Sequence, residues 1–149
     1  MQVRLMTAVI AAAMSLGAAV SVAKAKDPAF GVWWTEEKDS RIEIAPCGDG
    51  GKSACGNIVW LAEPNDDNGK PKHDINNEDE VLKARPIIGL PLIQGFSNDG
   101  PGKWEDGSIY DPRDGKNYSS NMEIQDDGTL EVEGCVLFLC KGTTWTRYQ

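Results

Sequence analysis

His73 is the one histidine of the chain, so any general-base chemistry by an imidazole would rest on it. A Ser–His–Asp arrangement also needs an oriented serine, and no G-x-S-x-G elbow is present. His73 stands between Lys72 and Asp74 in a polar stretch and reads as a solvated loop residue. Cys47, Cys55, Cys135 and Cys140 could in principle supply a thiolate or ligate zinc. Neither sequential pair has the C-x2-C spacing of a zinc knuckle or a thiol oxidoreductase. Asp111 and Asp114 could run acid–base glycoside hydrolysis, yet they flank Pro112-Arg113, where a turn uses such side chains for local capping bonds. Neither Asp66-Asp67-Asn68 nor the segment 111–114 fits the D-x-[DN]-x-[DN]-G calcium loop. No catalytic residue, metal site or cofactor is therefore expected, and the chain is read as not an enzyme.

The elements that must position these residues come from 149 residues of net charge −8. Residues 1–25 read as a secretory signal peptide: Arg4, an apolar and small-residue run, then Ala23-Lys24-Ala25 as a cleavage pattern. No cysteine follows the run, so no lipid anchor is expected, and no later run is long enough to span a bilayer. Export makes an oxidising compartment, periplasmic or extracellular, the expected location. There an even number of cysteines reads as two disulfides. Three connectivities exist. The local one, Cys47–Cys55 and Cys135–Cys140, is favoured: the first pair brackets a Gly-rich turn between two strands, and the second brackets Val136-Leu137-Phe138-Leu139 ahead of another Gly turn. The acidic balance argues against nucleic acid, which needs a Lys/Arg surface, and against anionic membranes.

Residues 26–149 form one domain of β character. Residues 31–35 are β-prone, residues 41–45 alternate, and residues 55–61 make a third strand. Residues 64–86 are a long excursion, read as a structured lid packed on the barrel. It carries a polar turn near Asp66 and a short helix over residues 77–84, capped by Asn77 and stopped by Pro86. Residues 87–96 are densely apolar, but Pro91 confines them to an edge strand or two short pieces. A meander follows, with Asp106-Gly107 as a turn or bulge. Tyr118, Ser120, Met122 and Ile124 share one strand face, and Leu130 and Val132 another. Turn signals recur about every eight to twelve residues, as in a barrel or sandwich.

Gly31-x-Trp33 opens the first strand, and Arg147 lies in the last. Closure of an up-and-down barrel makes those strands neighbours, so Arg147 can stack on Trp33 and seal the barrel base. This arrangement resembles that of lipocalins and their calycin relatives. The expected fold is an all-β, lipocalin-like antiparallel barrel of about eight strands with one long loop.

A wider pattern resembles the exported bacterial family DUF2147. It comprises Arg41-Ile42-Glu43-Ile44-Ala45-Pro46-Cys47-Gly48, Cys55-Gly56-Asn57-Ile58-Val59-Trp60-Leu61, Asp66-x-Asn68-Gly69-Lys70-Pro71 and Arg85-Pro86-Ile87-Ile88-Gly89-Leu90. It continues with Trp104-x-x-Gly107-x-Ile109-Tyr110-Asp111-Pro112, Gly115-Lys116-x-Tyr118 and Trp145-Thr146-Arg147. The chain departs from it at Asn77-Glu78-Asp79, where the family often has Asn-Pro-Asp, and in a longer turn at Gly50-Gly51. The resemblance implies a lipocalin-like barrel and no established activity.

A barrel of that size either holds one small ligand or fills itself with side chains. Trp60, Phe96, Trp104, Tyr110, Tyr118 and Met122 are the candidates to line an interior for a small hydrophobic or amphipathic ligand. The same residues would serve as plain core, and the sequence leaves both readings open. The alternative is an acidic protein-binding module, steered to a basic partner such as a periplasmic hydrolase that it inhibits. A monomer is expected.

Overall fold

Strict alternation decides which side chains enter the interior. Successive Cβ atoms of a strand point to opposite faces, so Ile42 and Ile44 are buried while Glu43 between them is exposed. Ser120 and Met122 on one strand, and Leu130 and Val132 on the next, repeat the pattern. The computed structural model describes residues 26–149; the expected signal peptide, residues 1–25, lies outside the described residues.

Eight strands form: β1 (Gly31–Trp34), β2 (Ser40–Cys47), β3 (Ser53–Leu61), β4 (Pro91–Gly100), β5 (Lys103–Asp111), β6 (Lys116–Ile124), β7 (Leu130–Val136) and β8 (Leu139–Arg147). Each pairs antiparallel with its sequence neighbour, and β1 pairs with β8 to close the barrel. Pro91 is the first residue of β4, where its missing N–H costs the ladder least. The apolar residues before it, 87–90, belong to the preceding loop, and only Leu90 of them is fully buried. Asp106, at φ 56°, and the register shift between Trp104 and Gly107 form the bulge in β5.

One half of the barrel is solid. Trp33, Ile44, Ala54, Phe96, Trp104, Met122 and Leu130 fill it, each at most 4% exposed. Each large apolar side chain buried this way contributes roughly 1.5–3 kcal/mol. Phe96 lies flat on the backbone at Gly107, where a Cβ would collide with its ring. At the end of this half the Arg147 guanidinium sits 4.1 Å from the Trp33 ring centroid. It donates to the Phe30 carbonyl at 3.2 Å and to that of Pro28. The Trp33 indole N–H donates to the Ala29 carbonyl at 2.8 Å. Gly31 leaves the room: a Cβ there would stand 2.6 Å from an Arg147 nitrogen.

The disulfides are Cys47–Cys55 and Cys135–Cys140, the local pairing. The helix expected over residues 77–84 is reduced to a 3-10 turn at Leu82–Ala84. The stretch before Pro86 is too short to offset helix nucleation. Asn77 accepts from the Asp79 N–H but turns its amide inward, away from a cap.

Candidate functional site

The other half of the barrel is open. A cavity of about 1280 Å³ is walled by Ile42, Ile58, Leu92, Ile109, Val132 and Trp145 from inside the strands. Its mouth lies between the β1–β2 turn, the β5–β6 turn, the β7–β8 hairpin and the long β3–β4 connection. That volume exceeds the roughly 300–1,000 Å³ usual for small-molecule sites.

The β3–β4 connection, residues 62–90, forms a strap across this end and contributes Lys72, His73, Ile75, Asn76 and Ile87 to the wall. A polar knot holds it in place. Asp74 is fully buried, which a carboxylate tolerates only when well partnered. One of its oxygens accepts from the Tyr110 hydroxyl at 2.6 Å. The other accepts from Arg85 Nε and Nη2, both at 2.8 Å, and from the Asn77 amide at 2.9 Å. The same Asn77 amide lies 2.9 Å from the Tyr110 oxygen. Burial, and then the bond to Asp74, push the Tyr110 phenol above its ordinary value of 10.0. Asn76 adds bonds to the Pro112 and Arg113 carbonyls, both at 3.1 Å. Gly115 stands so close to the Asn76 carbonyl that any Cβ would collide with it.

The outer wall is acidic. Glu36, Glu37, Asp39, Glu63, Asp66, Asp67 and Asp111 outnumber Lys72, Arg113 and Lys141. Arg113 is engaged by Asp111 at 2.8 Å and Glu37 at 3.6 Å, and Lys72 by Glu63 at 3.5 Å. Burial raises the Asp111 carboxyl, but the Arg113 guanidinium and N–H together hold it below its ordinary value of 3.8.

Of the six residues expected to line an interior, Tyr110 and Tyr118 reach the cavity wall. Tyr118 also donates to Asp114. Phe96, Trp104 and Met122 belong to the solid half. Trp104 leans on Phe30 with centroids 5.3 Å apart and donates to Asp27 at 3.2 Å. Trp60 faces outward instead of inward. Val59 is an extra residue between the pairs Arg41–Trp60 and Ile42–Ile58, and this bulge turns Trp60 to the outer face. There Arg41 lies 4.0–4.4 Å from the ring centroids of Trp34, Trp60 and Tyr148. His73 is exposed in the strap, as expected of a solvated loop residue, and stands at the edge of the cavity. Among the described residues its ring makes no hydrogen bond to a carboxylate or hydroxyl. Glu133 lies near Cys135 and Cys140, but both sulfurs are committed to their disulfide. The Asp74–Arg85 pair escaped sequence reasoning, because nothing in the local spacing reveals a contact across the strap. Trp145 and Val132 were within reach of it, since each sits on the inward phase of its strand.

With this geometry fixed, comparison with known proteins decides the family. The family model described as "uncharacterized protein conserved in bacteria (DUF2147)" matches residues 31–147. The chain belongs to the DUF2147 family. No curated protein matches it. Among solved structures, this DUF2147 chain is similar to protein HP1028 from the human pathogen Helicobacter pylori, described as belonging to the lipocalin family. The TM-score is 0.67 and the identity 21%, over 80% of this chain and 82% of that one. At that identity the likeness concerns the fold, and the DUF2147 barrel is lipocalin-like.

Proposed function

We propose that this protein binds a small hydrophobic or amphipathic ligand in the open half of the barrel and does not turn it over. The observation that carries the reading is the uneven filling of the interior. A barrel kept only for stability would pack both halves, because unfilled apolar space forfeits dispersion contacts. Here apolar walls lead down to a solid floor, and the charged groups gather at the mouth. That division suits a molecule with an apolar body and a polar end. Catalysis finds less support, since His73 has neither a nucleophile nor an orienting carboxylate bonded to it among the described residues. The two disulfides favour work in an oxidising space, periplasmic or extracellular.

Native mass spectrometry of protein from its own host should show an adduct of small-molecule mass that denaturation removes. Leu92→Trp, which extends an indole into the cavity, should abolish both this adduct and the fluorescence of added Nile red. An unchanged adduct in that variant would place the ligand elsewhere and defeat the proposal.

A further inference from the structure

The β7–β8 hairpin turns through Leu137 and Phe138, between the paired residues Val136 and Leu139. All four side chains are exposed: 57% for Val136, 90% for Leu137, 86% for Phe138 and 70% for Leu139. Two-residue hairpin turns favour Gly, Asn or Asp, because at least one central residue takes a positive φ. Leu137 occupies that position at φ 55°. An apolar, unfavourable turn therefore stands in water where a polar, relaxed one would fold better. Departures from local rules of this kind concentrate where function requires them. Directly behind the turn, Cys135–Cys140 fastens the two strands together, so the tip cannot fold back to hide its side chains.

We propose that this hairpin tip inserts into a zwitterionic lipid surface. Four observations select that partner. The tip is a convex point rather than a groove. Covering all four side chains would remove roughly 500–600 Å² of surface, short of the roughly 800 Å² per partner of a stable protein interface. Val136 and Leu139 also line the cavity, so apolar surface runs without a break from the tip into the open half of the barrel. Insertion of the tip turns the mouth toward the lipid. The acids of the mouth, among them Glu36, Glu37 and Asp39, and the net charge of −8 oppose anionic lipid. The attraction is therefore apolar burial and not charge.

The test is co-flotation of the intact protein with vesicles of phosphatidylcholine, alone or mixed with phosphatidylglycerol. The protein should float with pure phosphatidylcholine, and about 0.5 M salt should leave this unchanged, because screening touches only charge. Phosphatidylglycerol should weaken it. The double variant Leu137→Asp, Phe138→Asp should lose at least about a hundredfold in partitioning while unfolding at no lower temperature and keeping its binding of Nile red. The Nile red readout keeps this outcome separate from that of the cavity proposal. Absence of flotation of the natural chain, or equal flotation of the variant, overturns the inference. So does a dimer in analytical ultracentrifugation that the variant dissolves, since the tip would then be a contact between copies.

Discussion

The hydroxyl of Tyr110, on β5, donates to Asp74, on the strap, at 2.6 Å, and this bond joins the long connection to the barrel wall. Tyr110 is at once a wall residue of the cavity and the anchor of what crosses its mouth. Tyr110→Phe keeps the ring and leaves one oxygen of a buried carboxylate without its donor. A loss of about 1–3 kcal/mol in urea unfolding is expected. Hydrogen exchange should quicken in the strap amides of Asp74, Ile87 and Leu90, which bond to other strap residues, and not in the β6–β7 ladder.

The same residue contributes to the loss of stability at alkaline pH. Burial and Asp74 raise the Tyr110 phenol above 10.0 in the folded protein. The folded state thus holds this proton to higher pH than the unfolded chain does. Its contribution is complete below the unfolded value and disappears as pH climbs through the folded one. Unfolding free energy measured from pH 8 upward should fall beyond about pH 10, and Tyr110→Phe should flatten that fall. A decline equally steep in the variant would assign it to other groups.

Arg147 and Trp33 should prove energetically coupled. Arg147→Lys keeps the charge but loses the planar stack and the paired carbonyl contacts. It should cost more than the roughly 0.5 kcal/mol of an ordinary surface change. A double-mutant cycle with Trp33→Phe should give a coupling of about 0.5–2 kcal/mol. Strictly additive effects would mean that the stack contributes nothing.

Removing the disulfides one at a time ranks the two ends of the barrel. Each loop is short, so Cys47→Ala with Cys55→Ala should cost about 2–3 kcal/mol and Cys135→Ala with Cys140→Ala about 2 kcal/mol. Chemical denaturation of both pairs, each checked by peptide mapping without reductant, measures the difference. A linkage between Cys47 and either Cys135 or Cys140 would contradict the structure.

The barrel was legible in the sequence because its signals are local. Period-two alternation in β2, β6 and β7 and the Gly-rich turns need no knowledge of distant residues. The pairing of Trp33 with Arg147 followed from one global condition, that the first and last strands meet. What escaped was set by single-residue events. One extra residue at Val59 reverses the side on which Trp60 appears. Phe96, Trp104 and Met122 have the inward phase expected of them, but phase cannot tell the solid half from the open one. Asp74 looked like one more polar residue in a loop, although it is the most buried acid described. The turn at Leu137-Phe138 carries none of the residues by which a turn is recognised.

The pairing of β1 with β8 also governs how the chain assembles. Every other strand pair joins sequence neighbours, and all but β3–β4 across a short turn. Those hairpins can form one after another at a small entropic cost for each loop closed. The last contact must instead bring together the two extremities of the domain, and such long-range closure slows folding. The barrel should therefore exist transiently as a curled, unsealed sheet whose first and last strands present free edges. A circular permutant that links the present ends and opens the chain within residues 62–90 would convert that slow seam into a hairpin. The seam then moves to β3–β4, so the permutant should fold no faster than the natural order of strands, and the slow closure should pass from the β1–β8 ladder to the β3–β4 ladder.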